Sequence, residues 1–98
     1  MPTYLVESYA PRSGAALDEA IARVRRAAKE LAAEGMGLRH VRSTFVPEDE
    51  ICFHAFEAES PALVTEVGRR AGLPFEHVVE AMPVTPHGST SPSREEAS

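Results

Sequence analysis

Five side chains in this 98-residue sequence are of types that hold or activate small molecules: Glu7, His40, Cys52, His54 and Glu80. Imidazole, thiolate and carboxylate together suit nickel, zinc or another divalent transition metal. Cys52 and His54 stand two residues apart in the stretch ICFHAFEA. On a strand both point the same way, about 6.6 Å apart by rise. No C-x-x-C or H-x-x-x-H spacing accompanies them. The competing reading is a hydrogen-bonded interface histidine at 54, a carboxylate at Glu7 paired with Arg42 or His54, and a small buried hydrophobe at Cys52. His77, His87 and the run Glu48-Asp49-Glu50 are expected to be solvated. There is no phosphate-binding loop, no Ser–His–Asp order and no RNA-binding aromatic signature.

The elements that position these groups are legible from period and punctuation. Thr3–Tyr9 is rich in β-branched and aromatic residues and ends at Pro11, Ser13 and Gly14, so it reads as a strand. Leu17, Ile21, Val24, Ala28 and Leu31 then form one helical stripe, with Ser13 placed to cap its start and Gly35 to end it in the left-handed conformation. Leu38–Val46 and Ile51–Ala58 are extended, joined by a polar hairpin loop at Pro47-Glu48-Asp49-Glu50. Ser60-Pro61 starts a second helix, whose buried side is Leu63, Val64, Val67 and Ala71, and Gly72-Leu73-Pro74 stops it. His77–Val84 is the last strand.

This order, β-α-β-β-α-β, is the ferredoxin-like arrangement of the α+β class. It predicts a four-stranded antiparallel sheet with two helices on one face. The first and third strands are central, with the fourth beside the first and the second beside the third. The domain spans 1–84, and Thr85–Ser98, rich in Pro, Ser and Glu, is expected to be a disordered tail.

Composition narrows the function classes. A net charge of −5 argues against nucleic-acid partners. No apolar run approaches the ~20 residues of a membrane span, and residues 1–10 show no basic stretch followed by an apolar one, so no secretory signal is expected. Cys52 is the single cysteine, so an internal disulfide is excluded and the cytoplasm is the default location. Abundant alanine, and Lys29 as the one lysine among many arginines, suggest a GC-rich bacterial source.

Alternation assigns faces to the strands. Burying the Glu7 or Glu80 carboxylate or the His54 imidazole under helices is costly without partners, which directs Tyr4, Val6, Ile51, Phe53, Ala55, Val79 and Ala81 inward. Leu5, Glu7, Tyr9, Cys52, His54, Phe56, Val78, Glu80 and Met82 then face outward. A three-residue loop, Glu48 to Glu50, sets Val46 opposite Cys52 and Thr44 opposite His54. It sends Val41 and Phe45 inward, and His40, Arg42 and Thr44 outward. His40 and His54 then lie about 13 Å apart along the strands and could share a metal only across a dimer axis. An uncovered apolar patch of this extent predicts a homodimer or larger even oligomer through the open sheet face. With Glu7 facing His54, the imidazole pKa is expected to rise above its usual value.

The chain resembles a bacterial domain-of-unknown-function family of small ferredoxin-like proteins, typified by an actinobacterial nickel-binding protein. The resemblance runs from about Pro2 to Val84. It rests on Tyr4-Leu5-Val6-Glu7, Val41-Arg42-Ser43, Pro47-Glu48-Asp49, Phe53-His54-Ala55-Phe56-Glu57-Ala58, Ser60-Pro61, Ala71-Gly72-Leu73-Pro74-Phe75 and Val79-Glu80. It implies the ferredoxin-like fold, self-association, and binding of nickel or another small ligand. Family members often carry Cys where this chain has His54, and an aromatic residue where it has His40. The expected function is therefore a non-catalytic metal- or small-ligand-binding oligomer. The alternatives are a dimeric α+β barrel enzyme with His54 as base and Tyr9 orienting substrate, and a purely structural self-association module.

Overall fold

A computed structural model describes residues 1–10, 14–73, 75, 77–82 and 84. The elements run β1 (Thr3–Tyr9), α1 (Gly14–Ala33), β2 (Leu38–Val46), β3 (Ile51–Ala58), α2 (Pro61–Ala71) and β4 (Val78–Ala81). All strand pairs are antiparallel, and the sheet order is β2-β3-β1-β4. This is the ferredoxin-like α+β arrangement, with both helices packed on one face. The last strand is shorter than the stretch His77–Val84 suggests. The expected cap at Ser13, the stop at Pro74, and the tail Thr85–Ser98 with His87 lie outside the described residues.

Both helices end as their glycines require. Gly35 and Gly72 adopt left-handed φ of 91° and 73°. Met36 N–H bonds to Leu31 C=O at 3.1 Å and Leu73 N–H to Gly68 C=O at 2.9 Å. These are the six-to-one bonds of a Schellman motif, which satisfy carbonyls left over at a helix end. Ser60 occupies the N-cap position of α2 in an extended conformation, but its side chain makes no capping bond. At Gly68 a Cβ would come within 2.6 Å of the Leu73 carbonyl and 2.8 Å of the Phe75 ring. The bare backbone there lets Phe75 lie against α2.

The core joins Val24, Ala28 and Leu31 of α1 and Val64 and Val67 of α2 to Tyr4, Val6, Leu38, Phe56 and Phe75. Tyr4 and Val6 point inward, as alternation requires. Phe56 does so as well, fully buried, which reverses the expected parity of β3. The register shows why. Val46 pairs with Ile51, so the hairpin closes with four residues, Pro47 to Glu50, and Glu50 takes a φ of 52°. A one-residue slip turns every side chain over. Cys52, His54, Phe56 and Ala58 therefore face the helices, while Ile51, Phe53 and Ala55 turn to the open face.

Strand β4 is reversed in the same way. Val78 pairs with Val6 and packs on the core, and Val79 pairs with Leu5 and is exposed. In β2, a bulge at Val41, between His40 and Arg42, carries His40 back onto the helix-facing side, opposite Phe56. Arg42 and Thr44 face outward and Phe45 inward, as expected. No helix among the described residues is long and apolar enough to cross a membrane.

Candidate functional site

The helix-facing side of the sheet carries one continuous polar chain through an otherwise apolar core. Ser8 lies near the end of β1, His54 in the middle of β3, and Ser43 and His40 on β2 either side of the bulge. Ser8 Oγ is 3.0 Å from His54 Nε2. Ser43 Oγ is 2.7 Å from His54 Nδ1 and 3.0 Å from His40 Nε2. His54 is 1% exposed and is the buried polar side chain of the core. Its ring packs on Phe75 at 5.6 Å between centroids, and His40 stacks at a tilt on Phe56 at 5.2 Å.

Burial sets the protonation of this chain. Desolvation, with the nearby His40 adding to it, pushes the His54 pKa down to about 4. His40 is also held below its usual value, by burial first and by the Arg25 charge second, against a hydrogen bond with the Arg42 backbone. Both rings are thus neutral at pH 7, each with one N–H and one lone pair. One assignment of tautomers serves the whole chain, with His40 donating to the Arg42 backbone. His40 Nε2 then accepts from the Ser43 hydroxyl, Ser43 accepts from His54 Nδ1–H, and His54 Nε2 accepts from Ser8. Donors run in one direction along the chain. Every ring nitrogen is satisfied without an ion, the condition under which a buried polar network stabilises a fold.

The expected site residues separate in space. His40 and His54, expected about 13 Å apart, have ring centroids 6.4 Å apart, because the bulge puts them on one face. Cys52 is fully buried and lines a small cavity with His54 but not with His40; its thiol is 3.9 Å from the Phe53 carbonyl, and burial pushes the thiol pKa up. It is a protonated thiol at neutral pH. Glu7 is on the other side of the sheet, opposite Phe53, and Val6 occupies the place opposite His54. The expected Glu7–His54 contact is therefore absent, and the His54 pKa moves down rather than up. Glu80 pairs with Tyr4 at the exposed edge of the sheet. Among the described residues no three His, Cys, Asp or Glu side chains gather to hold a metal ion.

Ser8 and Ser43 are the participants that the sequence reading misses. Ser8 shares the parity of Tyr4 and Val6, so extending that alternation by one step would have placed it inward. Ser43 shares the parity of Val41 and Phe45 and follows from the same alternation, whereas His40 joins it only because of the bulge.

Two cavities flank the chain. One, of about 40 Å³, lies beneath the first turns of α1 and is lined by Ser8, Leu17, Ala20, Cys52 and His54. The other, of about 180 Å³, lies between α1 and β2, with His40 in its wall.

No protein-family model matches the chain, and no curated protein matches it. A solved structure does: the crystal structure of SCO4226 from Streptomyces coelicolor A3(2) superposes with a TM-score of 0.69 at 14% identity. The match covers 85% of this chain and 99% of that one. Likeness at this identity is a likeness of fold.

Proposed function

We propose that the protein is a non-catalytic small-ligand-binding protein, working in the bacterial cytoplasm as a homodimer or larger even oligomer. The observation that carries the binding half is the neutral chain Ser8–His54–Ser43–His40, which reaches a cavity at each end. Concave sites lined by apolar groups with a few fixed polar atoms are where small molecules bind. A depressed imidazole pKa makes His54 a weak base, which favours recognition over proton abstraction.

Self-association is supported by the uncovered side of the sheet. Leu5, Ile51 and Phe53 are only half-buried there, Val79 is exposed, and Glu7, Arg39, Arg42 and Glu57 supply charges of both signs. A second copy stacked on this face would cover the apolar groups.

A second reading is transition-metal binding, by nickel or a similar ion. It is favoured by one feature: His40 Nε2 and His54 Nδ1 both aim at the Ser43 hydroxyl. Two imidazoles can hold such an ion when water or a second subunit supplies the remaining donors. Glu7, Cys52 and Glu80 do not join them within one chain.

Native mass spectrometry of tag-free protein, with elemental analysis of the same sample, separates these readings. An organic mass retained natively and lost on denaturation supports the first. A stoichiometric metal that disappears in His54→Ala, yet persists in His87→Ala, supports the second. Ultracentrifugation at micromolar concentration tests assembly. A monomer there contradicts the oligomer.

A further inference from the structure

The cavity between α1 and β2 combines basic side chains at its rim with an apolar floor. Arg25 and Lys29, one turn apart on α1, and Arg39 on β2 line it, and no acidic side chain does. Arg39 is neutralised by Glu57 at 2.9 Å. Arg25 and Lys29 have no ion-pair partner among the described residues. No acid of α1 stands three or four residues from Arg25 or Lys29, and Glu30 and Glu34 lie on another side of the helix, paired with Arg70 of α2 at 3.7 and 2.7 Å. Arg23, Arg26 and Arg42 likewise make no ion pair among the described residues, but Arg25 and Lys29 both line one groove. The floor is apolar, formed by the buried side chains of Ala28 and Leu38, and the half-buried His40 closes its inner wall. At about 180 Å³ the space is below that of a drug-sized ligand.

We propose that this groove binds a small organic acid with an apolar body. Its anionic head is held by Arg25 and Lys29, and its body lies on Ala28 and Leu38. The proposal rests on the small-ligand reading and names its ligand class. A bare inorganic anion leaves the apolar floor uncovered, and a neutral molecule leaves the two cations unpaired. The organic acid satisfies both.

The test is a titration of the full ¹⁵N-labelled chain with benzoate at fixed ionic strength, read from amide shifts. Benzyl alcohol and inorganic phosphate serve as the comparison ligands. Saturable benzoate shifts confined to residues 25–32 and 38–40 are expected, with the two comparison ligands weaker by about tenfold or more. The variant R25E/K29E changes two exposed side chains, so its amide spectrum elsewhere should be unchanged. Its benzoate affinity should fall by about tenfold or more. The proposal is overturned by the absence of saturable shifts, by phosphate or benzyl alcohol binding as well as benzoate, or by a folded R25E/K29E that binds undiminished. Benzoate shifts at Ser8, Cys52 and His54 alone also overturn it, while leaving the small-ligand reading intact.

Discussion

The molecule contains two polar clusters built on opposite terms. One lies under the helices, where Ser8, His54, Ser43 and His40 are linked without a charge. The other spans the exposed side of α1 and α2. There Arg70 binds Glu34 at 2.7 Å and Glu66 at 2.8 Å, and Arg69 binds Glu66 at 2.6 Å. In the exposed cluster, hydrogen bonds from Arg69 and Arg70 hold the Glu66 pKa at about 2, so the ions stay ions. In the buried cluster, desolvation makes the imidazoles give up their charge. The same chain thus uses ions where water screens them and neutral donors and acceptors where it does not. The buried cluster should be sensitive to shape and to acid. The exposed one should be sensitive mainly to salt.

The largest effect should come from removing His54. His54→Ala leaves a cavity and strands the hydroxyls of Ser8 and Ser43, so we expect a loss of about 3–4 kcal/mol in urea unfolding. A loss below about 1 kcal/mol would mean that the ring is not the centre of the cluster.

Acid should act next. Above pH 6.5, His54 is neutral whether the chain is folded or unfolded. Between about 6.5 and 4 the unfolded chain takes up a proton that the folded chain refuses, so stability falls as the pH falls. Below about 4 this contribution levels off. The whole loss is about 3 kcal/mol, and His40 adds to it with the same sign. Unfolding free energies measured across this window should show the slope, and His54→Gln should flatten it. An unchanged slope in that variant would assign the acid sensitivity to carboxylates elsewhere.

Ser43→Ala should cost less, about 1–2 kcal/mol, because it removes one hydroxyl and leaves His54 Nδ1 and His40 Nε2 without that partner. Chemical denaturation measures it. A neutral result would show that water replaces the hydroxyl. Smallest of all should be Arg70→Ala, measured the same way. Its ion pairs are partly exposed, and whatever they contribute should shrink as salt is raised. A salt-independent loss would mean that the Arg70 stem acts through packing.

The contrast also explains what was legible in the residues. Element order, both C-terminal glycines, and the strand order followed from period and turn chemistry. So did the inward placement of Tyr4 and Val6. The faces of β3 and β4 did not. The β3 assignment depends on keeping His54 out of the core for want of partners, which Ser8 and Ser43 supply; the β4 assignment depends on keeping the Glu80 carboxylate off the helix side, and Glu80 instead shares the parity of Tyr4 while staying exposed at the sheet edge. The hairpin closes through Glu50 in a left-handed conformation, a position with no Gly or Asn to mark it. The bulge at Val41 is equally unmarked. Two such unmarked irregularities decide whether His40 and His54 meet. The separation of Glu7 from His54 follows from the same parity. A one-residue error in register hides a site even when the fold is read correctly.

Imidazole titration by long-range ¹H–¹⁵N spectroscopy reaches the buried cluster most directly. A neutral His54 that protonates near pH 4, with a His40 tautomer whose Nε2 accepts from Ser43, is the expected result. A His54 that titrates at 6.5 or above would contradict a buried neutral chain and return this residue to a charged or solvent-facing role.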